Sequence, residues 1–309
     1  MRITGTFLDE IGGDIPSASW GPKEWAKDFD AMKQIGIDTV IVIRAGRDSR
    51  CIFDSKALKK YMDMQPVYID LLDVFLNEAE RCGMQLFVGT YDSAKYWYVE
   101  KNPEKELEIN RSFTDEVASR YGSRKAFRGW YMCHELNAFE KQAFDSLIIY
   151  ERLVGHLRSL INLPVLMSPF LWGKKMLVKN PTSLEEHGRK WDEMLSRLEG
   201  LVDILAFQDG GVDFLELPAF LKLDSQLAKK YGMASWSNVE TFERGTPINY
   251  LPIDWRNLRC KLEAADSAGI EKVITFEFSH FMSPNSVYPA AHNLYRRYCE
   301  WLDENGMTP

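Results

Sequence analysis

The chain has 309 residues, of which 45% are hydrophobic and 13% aromatic, enough for a large core and unlike a disordered segment. A formal charge of −7 at pH 7 argues against a surface that tracks nucleic-acid phosphates, and the basic pairs Lys59-Lys60 and Lys229-Lys230 fall on helical faces where water solvates them. No apolar run approaches the about 18 residues of a membrane span, Met1 leads into "RITGTFLDE" without a signal segment, and five scattered cysteines (Cys51, Cys82, Cys133, Cys260, Cys299) lack any C-x-x-C pair, so the expectation is a soluble, cytoplasmic protein with free thiols.

The first β-rich run is "ITGTFLD", near 3 to 9. "GPKEWAKDFDAMKQIG" follows as an amphipathic helix, with Pro22 opening it, Trp25, Phe29 and Met32 at helical spacing, and Gly36 closing it. The same alternation of strand and helix then repeats through "TVIVIRAG" near 39 to 46, "QLFVGTYD" near 85 to 92 and "GWYMCHE" near 129 to 135. It continues through "VLMSPF" near 165 to 170, "DILAFQD" near 203 to 209, "ASWSNVE" near 234 to 240 and "KVITFEF" near 272 to 278. Apolar strands separated by helices imply a parallel sheet covered by helices, and eight such units close into a barrel of about 250 residues plus insertions. The predicted fold is therefore α/β, a single (β/α)8 TIM barrel spanning 1–309. An open doubly wound sheet would carry G-x-G-x-x-G after the first strand, and "GG" at 12 to 13 lacks the remaining glycines.

Helix-to-strand links are terse ("QIGID", "RCGMQ", "KYGMA", "SAGIEK"), whereas strand-to-helix links are long, notably 44 to 66, 92 to 104, 170 to 184, 240 to 254 and 278 to 289. Elaborated loops on one end mark the C-terminal face of a barrel, where active sites sit. The residues closing the strands are Asp9, Arg44, Asp92, Glu135, Phe170 or Trp172, Asp209, Glu240 and Glu277. Acidic groups crowded on one rim raise each other's pKa, which is costly unless the carboxylates are used. A pair of carboxylates flanking a bond is what glycoside hydrolysis needs, one to protonate the leaving oxygen and one as nucleophile or base, with no cofactor. Strand alternation places Trp236 and Asn238 on the same side as Glu240 and sends His134 to the side opposite Glu135, packed behind the barrel. The candidate catalytic residues are Glu135, Glu240 and Glu277. The candidate contacts to a carbohydrate are Asp9, Arg44, Tyr91, Asp92, Trp97, Asn137, Trp172, Gln208, Asp209, Trp236, Asn238 and His280.

On these residues the chain resembles the clan of retaining (β/α)8 glycoside hydrolases, whose acid/base Glu ends the fourth strand, usually after Asn, and whose nucleophile ends the seventh. "HEL" with Glu135 and "SNVETF" with Glu240 occupy those positions. More closely, "ITGTFLD", "GWYMCHELN", "FQDGG", "NVETFE" and "FEFSHFMSP" are similar to a glycoside-hydrolase-like barrel family of unknown function from carbohydrate-degrading bacteria. The resemblance implies Glu135 as acid/base and Glu240 as nucleophile, with His134 standing where the clan has its Asn. Two other readings stay open: a divalent-metal-dependent sugar isomerase or epimerase with Glu135, Asp209, Glu240 and Glu277 as oxygen ligands, and a carbohydrate-binding barrel without turnover.

Overall fold

The computed structural model describes residues 1–12, 15–139, 146–175, 182–244 and 249–309. Eight parallel strands close into a barrel: β1 (Ile3–Leu8), β2 (Thr39–Val42), β3 (Gln85–Gly89), β4 (Phe127–Tyr131), β5 (Val165–Met167), β6 (Ile204–Gln208), β7 (Ala234–Glu240) and β8 (Lys272–Phe276). Each pairs with its chain neighbours, and β8 returns to β1 through Gly5↔Ile274 and Thr6↔Thr275. The eight-strand reading therefore holds, with strands two to four residues shorter at some C-terminal ends than the apolar runs suggested.

Alternation within each strand sorts the side chains into two cores. Ile41, Phe87, Tyr131, Leu166, Ala206 and Ile274 fill the barrel, while Val40, Val42, Leu86, Val88, Trp130, Val165 and Leu205 face the helical layer. That layer consists of α1 (Pro22–Gln34), α2 (Leu71–Cys82), α3 (Pro103–Tyr121), α4 (Leu147–Leu160), α5 (Leu184–Leu198), α6 (Leu217–Lys230), α7 (Trp255–Ser267) and α8 (Pro289–Glu304). Helix starts are set locally: Asp70 accepts from Asp73 N–H at the head of α2, Asn102 from Lys105 N–H at α3, and Ser183 from Glu186 N–H at α5. Gly36, at φ +84°, turns the chain after α1 as the sequence predicts. Among the described residues no helix is long and apolar enough to cross a membrane.

Long loops leave the C-terminal ends of the strands. After β2, Gly46–Arg47 pairs with Arg50–Cys51 and with Tyr91–Asp92, forming a small sheet over that end of the barrel. After β8, Phe278–Phe281 forms a four-residue helix instead of continuing the strand to 278.

Candidate active site

Over the C-terminal end of the barrel lies a cavity of about 550 Å3, counting the space at its opening to solvent. Glu135, Gln208, Asn238, Glu240 and Arg44 supply its polar lining, and Phe7, Tyr131, Phe170, Phe242, Tyr250 and Phe276 its aromatic walls. Glu240 ends β7 and is 3% exposed, and Glu135 lies four residues past the end of β4 and is partly exposed. Gln208 joins the two sides, its Nε2 donating to Glu135 Oε1 at 3.0 Å and to the Ser168 carbonyl at 2.7 Å. With both amide hydrogens used, Gln208 leaves Oε1 of Glu135 as an acceptor, so a proton carried by Glu135 belongs on Oε2.

Asn238 is similarly fixed. Ser168 Oγ donates to the Ala206 carbonyl at 2.7 Å and accepts from Asn238 Nδ2 at 3.0 Å. The amide orientation follows, and Asn238 Oδ1, in a residue that lines the cavity, is buried without a hydrogen-bond partner among the described residues. An acceptor so placed suits a hydroxyl of a bound ligand.

Arg44, two residues past β2, is 5% exposed. Burial alone would favour losing its proton, but Asp9, Glu135, Cys133 and Asp92 around it push its pKa above the ordinary arginine value and keep it charged. The carboxylate of Asp9 is held by the N–H groups of Ile11 and Gly12 at 3.3 and 2.6 Å. That of Asp92 accepts from Ala94 N–H at 2.8 Å and faces Arg47 at 3.8 Å. Tyr98, absent from the sequence-predicted contacts, directs its phenol toward Asp92 and Glu135; desolvation first, then these two anions, raises its pKa. The ring of Tyr98 is half-exposed and meets Trp97 edge-on at 6.5 Å.

The other strand-end acids do not join the cavity lining. Glu277 is fully buried and accepts from Ser279 N–H at 3.2 Å and His280 N–H at 2.8 Å, capping the short helix that follows it. His280 pairs with Glu277 through Nδ1 and meets the Pro16 carbonyl through Nε2 at 2.7 Å, so both its ring nitrogens are engaged inside the protein. Burial alone would lower the pKa of His280, yet the adjoining Glu277 carboxylate raises it to about 9. These contacts correct the expectation of Glu277 as a cavity acid and His280 as a ligand contact. Asp209 likewise turns from the cavity to bind Lys261 Nζ at 2.7 Å and Glu240 N–H at 3.0 Å.

Several predicted contacts are also placed elsewhere. Tyr91 packs on Phe113 in the helical layer at 5.8 Å and donates to the Asp48 carbonyl, because the chain leaves β3 at Gly89 and re-pairs with Gly46–Arg47. Trp97 covers His134 at 4.7 Å, and Asn137 caps its own turn by accepting from Phe139 N–H. Trp172 stacks on Phe139 at 6.2 Å, outside the cavity lining. Trp236 faces the interior as its parity requires, but four residues below Glu240, against Phe87 and under Lys272, where it fills the N-terminal end of the barrel. His134 lies behind the barrel as predicted, its Nε2 2.8 Å from Glu106 of α3.

The fold is similar to that of several solved barrels. A Bacteroides thetaiotaomicron structure bearing the name "putative alpha-L-fucosidase" is 44% identical, with a TM-score of 0.92 over 98% of this chain and 93% of that one. The endo-1,4-beta-D-mannanase of Thermotoga petrophila matches 97% of this chain and 100% of its own at 12% identity and a TM-score of 0.58. A Thermotoga maritima beta-glucosidase matches 86% and 79% at 10% identity and 0.52. At such identities the latter two likenesses show a shared barrel fold. None of the curated proteins matches the sequence. Residues 3–288 match the family described as "Domain of unknown function (DUF4434)", and the chain belongs to that family.

Proposed function

We propose that this barrel is a glycoside hydrolase that cleaves O-glycosidic bonds of an oligo- or polysaccharide with retention, Glu135 acting as acid/base and Glu240 as nucleophile. The observation that carries this reading is the presence of both carboxylates, one from the loop after the fourth strand and one from the end of the seventh, in one aromatic-walled cavity. In the first step Glu240 attacks the anomeric carbon while Glu135 gives its Oε2 proton to the leaving oxygen. In the second, Glu135 takes a proton from water, which releases the sugar from Glu240. Aromatic walls suit the apolar faces of a sugar ring, and Asn238 Oδ1 offers an acceptor beside Glu240 for one of its hydroxyls. The name of the 44%-identical Bacteroides protein points in the same direction.

A metal-dependent isomerase would need the strand-end acids to converge as ligands. Asp209 and Glu277 are instead held by Lys261 and His280, and no three His, Cys, Asp or Glu side chains group as metal ligands among the described residues. The hydrolase reading is tested with Glu135→Gln, assayed on an alkyl glycoside and on a 4-nitrophenyl glycoside of the same sugar. Loss on the first with much of the rate kept on the second is expected, because an activated leaving group needs no proton. Equal losses on both would remove Glu135 from the acid role.

A further inference from the structure

The geometry points to Lys261 and Asp209 as positioning residues that hold Glu240 in its reactive attitude, together with a space kept open by Gly210. The inference rests on the reading of Glu240 as nucleophile and extends it to a helix outside the barrel. It begins with strand register. β7 is paired with β6 as far as Asn238↔Gln208, the last residue of β6, and runs on for two residues. On its other side β7 stays paired with β8, through Glu240↔Phe276. The peptide groups of Glu240 that face β6 therefore project past the end of that strand.

Two side chains of opposite charge take them. Asp209 Oδ1, from the turn directly after β6, accepts the Glu240 N–H at 3.0 Å. Lys261 Nζ, from α7, donates to the Glu240 carbonyl at 3.0 Å and to Asp209 Oδ1 at 2.7 Å. One ion pair thus brackets the backbone of Glu240 from both ends of the residue. The side chain has its place only because residue 210 is a glycine, since a Cβ there would lie 1.7 Å from Glu240 Oε2. The carboxylate occupies the volume that any other residue at 210 would claim.

Stability is a poor explanation for this pair. Lys261 is 3% exposed and Asp209 0%, so both charges are stripped of water, and Asp209 Oδ2 is buried without a hydrogen-bond partner among the described residues. Buried ion pairs of this kind seldom stabilise a fold relative to apolar residues of the same volume. What the pair supplies is a fixed direction for Glu240, and reactive carboxylates lose rate steeply when displaced.

The test uses the full chain labelled with 13C at the glutamate carboxyls, the Glu240 resonance being identified by its loss in Glu240→Gln. Rates are measured on the 4-nitrophenyl glycoside that the wild type cleaves fastest. Lys261→Met is expected to move the Glu240 resonance and lower kcat on the order of 100-fold, with KM changed by less than about threefold. Lys261→Arg, which keeps the charge and the donors, should recover kcat to within about tenfold of wild type. An unmoved resonance with kcat within about threefold of wild type would overturn the inference, and a lower Tm on its own would assign the pair to stability and overturn it too. If Lys261→Met does not fold, Asp209→Asn is read by the same two signals. A moved resonance combined with unimpaired hydrolysis by Glu240→Gln would leave the positioning intact and remove Glu240 as nucleophile.

Discussion

Gly210→Ala adds one methyl group against the carboxylate of Glu240. The new Cβ would stand 1.7 Å from Oε2, 2.2 Å from Cδ and 2.5 Å from Oε1, whereas ordinary van der Waals contact begins at 3.4 Å. The carboxylate must retreat by about 1.7 Å, and because it ends a flexible side chain it can do so without moving the barrel. The backbone at 210 lies outside the positive-φ region, so alanine brings no conformational strain there. Fold and catalysis should separate. A displacement of about 1 Å can cost roughly 100-fold in rate, so kcat should fall about 100- to 1,000-fold, equivalent to about 3–4 kcal/mol of transition-state stabilisation. Stability should change by less than about 1 kcal/mol, a Tm shift of a few degrees at this size. Steady-state hydrolysis of 4-nitrophenyl glycosides and a thermal melt measure the two quantities on one preparation. A Gly210→Ala enzyme with kcat within about threefold of wild type would show that the Glu240 carboxylate need not stand where the structure puts it.

Two further predictions concern buried charge. Asp28 of α1, packed against Ser283 and Asn285, has its pKa raised by burial from the ordinary 3.8 to about 6. The protonated form is thus favoured in the fold, and the stability it confers is complete below pH 3.8 and lost as pH rises to about 6, at most about 3 kcal/mol. Asp28→Asn should flatten the stability profile between pH 4 and 7 in urea titrations; a slope equal to wild type would refute this. His280, raised to about 9 beside Glu277, contributes stability that is present below pH 6.5 and lost as pH rises through 9. Wild type should therefore lose more stability than His280→Gln between pH 6.5 and 9.5, and parallel curves would contradict the assignment of a charged histidine.

The barrel was legible because its signals are local and repeated: apolar strands, amphipathic helices and long loops on one end. Glu240 followed from where β7 stops, and Glu135 from the end of the apolar run that holds β4, although the strand itself stops four residues earlier. What escaped was the direction of each remaining strand-end acid. Glu277 and Asp9 bend back onto N–H groups two or three residues ahead, and Asp209 meets a partner 52 residues away. Crowding of acids at the rim, expected as a shared electrostatic penalty, is relieved by pairing each with its own donor or cation. Lys261 did leave a trace: it falls on the buried stripe of α7 with Leu258, Leu262 and Ala265, where a lysine needs a buried partner. Asp28 beside Trp25, Phe29 and Met32 on α1, and Glu106 beside Ile109 and Phe113 on α3, carry the same signature.

The central claim, a retaining hydrolase built on Glu135 and Glu240, is tested most directly by proton NMR of the first sugar released, recorded before mutarotation. The account predicts the same anomeric configuration as the substrate, since two displacements at one carbon restore it. Release of the opposite anomer would contradict it, leaving Glu240 as a base for water rather than a nucleophile.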